Sequence, residues 1–224
     1  MLLNDDFSRR TVVHAARLEW VPSPTAGVER RMLFRIGEEK ARATSIVRYA
    51  AGSRFPRHTH PGGEEFLVLE GVFEDEAGAY PAGSYIRNPP GSAHAPGSTD
   101  GCIIFVKLWQ FRREDLTPIV RRPGEGERRE TGAGASTSLV LFDDSHELVR
   151  IEEWAPHAPI DVPNPRGLEL LVLSGGFAQD GEAFSAWSWL RLPAGSDLHA
   201  RAGESGVRLW TKSAPLLHAT VCAF

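Results

Sequence analysis

The 224-residue chain is poor in cysteine and methionine, with two of each, and it contains no long apolar run. Its cysteines, Cys102 and Cys222, form no CxxC pair, which excludes a disulfide-built scaffold and predicts two buried free thiols in a reducing compartment. No apolar stretch approaches the ~20 residues of a membrane-spanning helix, and the first residues lack a hydrophobic signal-peptide core. We therefore expect a cytoplasmic protein without membrane contact.

The chain also lacks a strong charge of either sign. Its formal net charge is −4 and its isoelectric point is about 6.1, so it has no basic field of the kind that nucleic acids or anionic membranes attract. We therefore expect neither nucleic acid nor membrane as a partner.

Glycine and proline are frequent, with 22 and 16 residues, and they separate short apolar segments. No segment keeps a helical period. Segments rich in Val, Ile, Phe and Tyr predict strands in the first half at residues 11–15, 30–36, 42–49, 55–60, 64–73, 84–88 and 102–111. This pattern predicts an all-β protein with sandwich or barrel closure.

An internal repeat divides the chain into two halves. The segment FLVLEGVF at 66–73 recurs 104 residues later as LLVLSGGF at 170–177. Repetition at half the chain length implies two copies of one fold. We predict one domain at 1–112 and a second at 113–224, with a charged, Gly-rich linker at 112–136.

Four residues of the first half have the types and the spacing of metal ligands. His58 and His60 alternate along one predicted strand, so both imidazoles face the same side, and imidazole is the commonest metal ligand. Glu64 follows a Pro-Gly-Gly bend, and His94 follows a tight Pro-Pro-Gly turn on what should be a neighbouring strand. The pattern indicates a single metal site.

The spacing of these residues resembles both halves of the cupin signature. The matching positions are Gly52, His58, His60, Glu64 and Gly71 in the first half and Gly83, Pro89, Gly91 and His94 in the second. Within the cupins, residues 11–111 resemble the cupin-like domain of ChrR, a zinc-containing anti-sigma factor, in the runs HTHPGGEEFLVLEGVFEDE and YPAGSYIRNPPGSAHAP. The resemblance implies two tandem cupin (double-stranded β-helix, jelly-roll) barrels, the first of which holds a metal through His58, His60, Glu64 and His94.

The strand period alone does not decide whether Glu64 or Glu65 faces the histidines, because both faces are about equally apolar. The repeat favours Glu64. Glu65 recurs as Glu169, whereas the counterparts of the four proposed ligands are Val162, Asn164, Leu168 and Leu198. The second barrel is therefore expected to be degenerate and metal-free. Its remaining candidates, expected to be ordinary surface or core residues, are His157, Glu169 and His199.

Two hypotheses for the function follow from these ligands, beside a fallback in which the metal only stabilises a storage or scaffold protein without turnover. The resemblance to ChrR implies a sensory or regulatory protein that binds zinc and has an ECF-type sigma factor or another regulatory protein as partner, although no helical sigma-binding domain precedes residue 11. The alternative is a metal-dependent dioxygenase or lyase for a small organic substrate, because this ligand set also suits Fe, Mn, Ni or Cu. The sequence assigns no catalytic residue and no organic cofactor. We also expect a homodimer formed through exposed strand edges.

Overall fold

The structure is a computed structural model that describes residues 1–38, 40–129 and 137–216. Cys222, predicted as a buried thiol, and part of the predicted linker lie outside the described residues. Within these ranges the chain forms β-strands and one short 3₁₀ helix, Ala15–Arg17, but no α-helix, which confirms the predicted all-β class. No helix in the described part is long and apolar enough to cross a membrane.

The strands are numbered in chain order. The strands up to residue 121 are β1 Leu2–Leu3, β2 Thr11–His14, β3 Val21–Pro22, β4 Val28–Gly37, β5 Ala41–Tyr49, β6 Ser53–Arg54, β7 His58–His60, β8 Glu64–Asp75, β9 Gly78–Pro81, β10 Tyr85–Asn88, β11 Ser92–His94, β12 Gly97–Ser98, β13 Cys102–Leu108 and β14 Ile119–Arg121. The later strands are β15 Glu127–Arg129, β16 Thr137–Asp143, β17 Leu148–Trp154, β18 Pro159–Val162, β19 Leu168–Gln179, β20 Glu182–Ser185, β21 Ser188–Leu192 and β22 Leu198–Ser213.

The first compact unit comprises Met1–Asp5 and Glu19–Gly124. Its main sheet has the order β1-β4-β5-β13-β8-β10-β14, and β7 and β11 form a separate antiparallel pair. Alternate residues of the central strands face one side, as the period of two requires, and pack into an apolar core. Its members include Phe66, Val68, Phe73, Ile86, Ile104 and Val106.

The second compact unit comprises Asp6–Leu18 and the described residues from Glu125 onward. Its sheet has the order β15-β16-β17-β22-β19-β21-β2. Strand β19 pairs with β20, β21 and β22, just as β8 pairs with β9, β10 and β13, and β19 begins and ends 104 residues after β8. The sequence repeat is therefore also a repeat of strand pairing.

Two short strands lie where the sequence did not predict them. Strand β2, predicted in the first barrel, pairs with β21 of the second unit, and β14, inside the predicted linker, pairs with β10 of the first. Strand β15 also lies in that linker. Alternation identifies a strand but not its partner, because pairing between distant segments is decided by the edge that remains open. The two compact units therefore do not follow the predicted boundary at 112/113.

Candidate metal centre

The strand pair β7–β11 brings three histidines together. In its antiparallel register His94 lies opposite His58, and Ser92 lies opposite His60. The imidazole ring centroids of His58, His60 and His94 are 4.8–5.4 Å apart, and one ring nitrogen from each lies within 4.8 Å of the others. His58 is exposed, whereas His60 and His94 are 8% and 6% exposed, so the cluster spans the boundary between solvent and interior.

The neighbours of two histidines leave the same nitrogen of each ring pointing into the cluster. His58 Nδ1 lies 3.1 Å from the carbonyl oxygen of Pro56, and His94 Nδ1 lies 3.4 Å from Asp75 Oδ2. An acceptor at Nδ1 holds the proton there and leaves the Nε2 lone pair free for a ligand bond. Asp75 is held in turn by the backbone N–H of Ala77, which donates to its Oδ1 at 2.8 Å.

Glu64 adds a carboxylate to the three imidazoles. Its Oε2 lies 3.6 Å from His60 Nε2 and 3.5 Å from His94 Nε2, and Asn88 Nδ2 donates a hydrogen bond to the same oxygen at 3.0 Å. The bend before Glu64 needs glycine: Gly63 has φ +76°, and a Cβ there would lie 2.5 Å from the ring of Phe111. The Pro-Gly-Gly sequence thus sets the direction in which Glu64 enters β8.

The electrostatics of the cluster suit a cation. Burial, reinforced by His58, lowers the pKa of His60 to about 4, and burial also lowers the pKa of His94. Both rings are therefore neutral near pH 7, the form in which imidazole binds metals. Burial raises the pKa of Glu64, so without a counter-charge the carboxylate is destabilised where it lies.

The distances also fit one ion. Two nitrogens bound at about 2.1 Å to one metal ion lie about 3.0 to 3.4 Å apart in octahedral or tetrahedral geometry. His60 Nε2 and His94 Nε2 are 3.1 Å apart. The structure thus brings together the four residues that the sequence predicted as ligands: the three imidazoles lie within ligand distance of one another, and the Glu64 carboxylate lies 3.5–3.6 Å from two of them.

Glu65 lies on the opposite face of β8 from the cluster. It accepts a hydrogen bond of 2.5 Å from the Tyr85 hydroxyl, and its Oε1 lies 3.7 Å from Arg87 Nη1. The second copy keeps this arrangement, because Trp189 Nε1 donates to Glu169 Oε1 at 2.8 Å. The glutamate that persists in the repeat is thus a buried structural residue, and the one beside the histidines is Glu64.

The counterpart of the cluster in the second unit is filled by other side chains. Val162, Leu168 and Leu198 are buried in its apolar core. Asn164 replaces an imidazole and bonds the local backbone, donating to the carbonyls of Pro193 at 2.8 Å and Ser196 at 3.0 Å. This unit therefore has no ligand set at the equivalent place among its described residues.

The other candidates of the second unit do not converge. His199 is exposed and lies 2.9 Å from Asp161, His157 occupies a turn with φ +60°, and Glu169 is held by Trp189. In the part of the chain that the structure describes, the one group of histidine, cysteine or acidic side chains within ligand distance is His58, His60 and His94, with Glu64 beside it.

Two residues around the cluster were not predicted. Asp75 is the last residue of β8 and begins the sequence Asp-Glu-Ala-Gly, which is typical of a turn. Asn88 directly precedes Pro89. The signal for Asn88 is its register, since it lies directly opposite Glu64 in the β8–β10 ladder. Asp75 lies beside His94 because the end of β8 pairs with β12, where Gly97 lies opposite Glu74, and the local sequence carries no signal for this pairing.

A cavity of about 280 Å³ reaches the cluster from one side. His58, His60 and Glu64 form one end of it. Its other walls are largely apolar, with two arginines among them, and include Val28, Arg30, Arg35, Val47, Tyr49 and Trp109. Cavities of this kind, apolar with a few polar groups, are typical binding sites for small molecules.

The comparisons with known proteins agree with this fold. The profile of the ChrR cupin-like domain family matches residues 8–112. No curated protein matches the chain.

Solved structures similar to the chain cover most of its length. The pirin YhhW of Escherichia coli in complex with nickel(II) is 14% identical with a TM-score of 0.69, over 93% of this chain and 100% of that one. A Nostoc punctiforme protein provisionally called a dioxygenase is 14% identical with a TM-score of 0.73, over 97% and 87%. A variant of oxalate decarboxylase OxdC of Bacillus subtilis is 11% identical with a TM-score of 0.59, over 93% and 78%. Likeness at this identity establishes the fold alone.

The family match and the fold lead to the same assignment. Residues 8–112 match the family of ChrR cupin-like domains, and the chain has the cupin fold.

Proposed function

We propose that His58, His60, Glu64 and His94 hold one divalent metal ion, and that the chain is a metal-dependent enzyme acting on a small organic molecule. The observation that carries the proposal is the cavity of about 280 Å³ that ends on His58, His60 and Glu64. A purely structural metal is usually closed by its four protein ligands, whereas a catalytic one keeps a position open toward a substrate. In a five- or six-coordinate metal these four ligands leave one or two positions free.

The bound metal would supply Lewis-acid or redox chemistry, according to its identity. The residues around it hold and shield the site. Pro56 and Asp75 orient two of the imidazoles through Nδ1, and Asn88 orients Glu64. Burial raises the pKa of Tyr49 far above its ordinary value, so its hydroxyl stays protonated beside the cavity. The apolar walls exclude water from a small substrate.

The test is the metal content of the purified protein, measured by elemental mass spectrometry. The variant His58→Ala/His94→Ala removes two ligands, and His157→Ala/His199→Ala, in the second unit, removes the same number of imidazoles elsewhere. We expect one metal ion per chain in the wild type and in the second-unit variant, and none in the ligand variant. Wild-type protein that stays metal-free after incubation with Zn²⁺, Fe²⁺, Mn²⁺, Ni²⁺ and Cu²⁺ would overturn the proposal.

The identity of the metal separates this enzyme from a second candidate. The match of residues 8–112 to the ChrR cupin-like family supports a zinc-binding sensory or regulatory protein in stress-responsive transcription. Zinc at one ion per chain, with no turnover of small substrates, would favour the regulatory function. Iron, manganese, nickel or copper, with consumption of O₂ or release of CO₂ in a substrate screen, would favour the enzyme.

Two partners of the chain are proposed: a sigma factor for the regulatory function, and a second copy of the chain itself. An ECF-type sigma factor is the proposed protein partner, and absence of its capture by the immobilised zinc-loaded protein would remove it. A homodimer through exposed strand edges stays a prediction, and a monomeric mass in light scattering at micromolar concentration would contradict it.

A further inference from the structure

Strand β4 presents two adjacent arginines to two different environments. Arg30 and Val28 line the cavity that ends on the histidine cluster. Arg31, one residue later, faces the other way and stacks on the indole of Trp20, with its guanidinium carbon 4.3 Å from the ring centroid. This alternation follows from the period of two in a strand. One arginine of the pair therefore belongs to the cavity and the other to the outer face.

Arg30 has no partner of its own among the described residues. Its Nε is buried without a hydrogen bond, and no ion pair or cation–π contact involves its guanidinium. Arg48, on the neighbouring strand β5, instead pairs with Glu29 and stacks on Trp20. A buried N–H of a charged group that lacks an acceptor is costly, and arginine does not lose its proton at physiological pH. An anion in the cavity would offset this cost.

None of the other charged side chains that the structure describes in the cavity pairs with Arg30. Arg35 is held by its own segment, where it donates to the backbone carbonyl oxygen of Glu38. Among the residues that the structure describes, Glu64 is the one acidic residue that lines the cavity, and its carboxylate lies beside His60 and His94. With a divalent ion bound by the cluster, the cavity would be positive at the metal and at Arg30. Its volume of about 280 Å³ equals roughly nine water molecules at about 30 Å³ each.

We propose that Arg30 binds the carboxylate of a small organic acid whose other end reaches the metal. The guanidinium fork matches a carboxylate in two parallel hydrogen bonds, and the apolar walls, including Val28, Val47 and Trp109, contact the body of the acid. This assignment rests on the proposed function, because it names the substrate class of the same site.

The test is calorimetric titration of the metal-loaded protein with acetate, pyruvate and benzoate, each beside its neutral amide. We expect at least one acid to bind at least tenfold more tightly than its amide. Arg30→Gln should weaken binding of that acid about 10- to 100-fold, as expected for a lost hydrogen-bonded charge pair, and Arg30→Lys should weaken it less. Arg31→Gln is the matched control, because it removes the same charge from the next residue, and it should leave binding unchanged.

The outcomes separate this proposal from the proposed function. Metal content is measured in the same samples, and urea unfolding checks that each variant is folded. Metal-loaded wild type that prefers no acid to its amide, or equal losses from Arg30→Gln and Arg31→Gln, would overturn the assignment of Arg30. Failure of the wild type to bind any metal would count against the proposed function, and the same titrations of the metal-free protein would then decide whether Arg30 selects carboxylates.

Discussion

Glu64 and Glu65 are neighbours in sequence that the structure assigns to different tasks, and substituting each with glutamine should separate these tasks. Glu65 is 2% exposed, accepts a hydrogen bond from Tyr85 and lies 3.7 Å from Arg87. Removing one partner of a buried charge pair costs about 3 to 5 kcal/mol. Because Arg87 keeps Asp115 as a second partner, we expect the lower end, about 3 kcal/mol, for Glu65→Gln.

Glu64→Gln should leave the stability of the metal-free protein intact and reduce the stabilisation that metal provides. Burial raises the pKa of Glu64, as expected where the charge of a carboxylate is unfavourable. We therefore expect the metal-free Glu64→Gln variant to be at least as stable as the wild type. With metal at 1,000 times its dissociation constant, the wild type and Glu65→Gln should each gain about 4 kcal/mol. Glu64→Gln should gain much less, because it has lost the anionic ligand.

The assay is urea unfolding with and without metal, with a chelator in the metal-free samples. A loss of 3 kcal/mol moves the unfolding midpoint by about 1 to 3 M urea at the slopes usual for small proteins. The reasoning is refuted if Glu65→Gln abolishes the stabilisation by metal while Glu64→Gln keeps it. Equal destabilisation of the metal-free protein by both substitutions would also contradict the division of tasks.

Three further predictions concern separate features of the first unit. Asp75→Asn removes the carboxylate beside His94 Nδ1 and should weaken metal binding about 10- to 100-fold in a competition assay with a chromogenic chelator. Gly71→Ala should destabilise the protein by about 1 to 3 kcal/mol or more in urea unfolding. The reason is that φ is +69° at Gly71 and a Cβ there would lie 2.2 Å from a backbone carbonyl oxygen. Gly91→Ala should cost less, because φ is +86° there but the space around it is open. Burial raises the pKa of Cys102 to about 11, so about 0.1% of this thiol is ionised at pH 8. Its alkylation by iodoacetamide, followed by peptide mass mapping, should accelerate about tenfold per pH unit between pH 8 and 10, and fast labelling at pH 7 would contradict its burial.

Most of the fold and the core of the site follow from local sequence patterns. Strands β8 and β19 begin and end at equivalent positions of the repeat, because the same apolar alternation and the same glycines recur in both copies. The ligand positions follow from period and turn chemistry, since alternate residues of β7 share a face and the Pro-Pro-Gly turn brings His94 back beside them. These rules act within a dozen residues and identify the ligands, whereas the pairing of β7 with β11, which places His94 opposite His58, was predicted from the cupin signature.

What could not be predicted depends on contacts between distant segments. Strand β2 has an ordinary strand sequence, but its partner β21 lies about 180 residues later. Arg30 stands in the run Glu-Arg-Arg, which resembles an exposed charged strand, but its side of β4 lines a cavity together with residues from β5, β7 and β13. Asp75 likewise becomes a partner of His94 through a contact across 19 residues. These features carry much of the proposed chemistry, and no local signal marks them.

The comparison of the two copies indicates which residues serve the fold and which serve the site. Each unit keeps a buried glutamate on the central strand, hydrogen-bonded to an aromatic residue twenty positions later: Tyr85 in the first and Trp189 in the second. The metal-ligand positions, in contrast, are apolar or bonded to backbone in the second unit, which has the same strand pairing without them. An architecture that forms in the second copy around Val162 and Leu198 does not need a metal to hold its strands together. The strand pairing therefore does not depend on the ligand set, which supports the proposal of a metal that acts on a molecule in the cavity rather than one that stabilises the barrel.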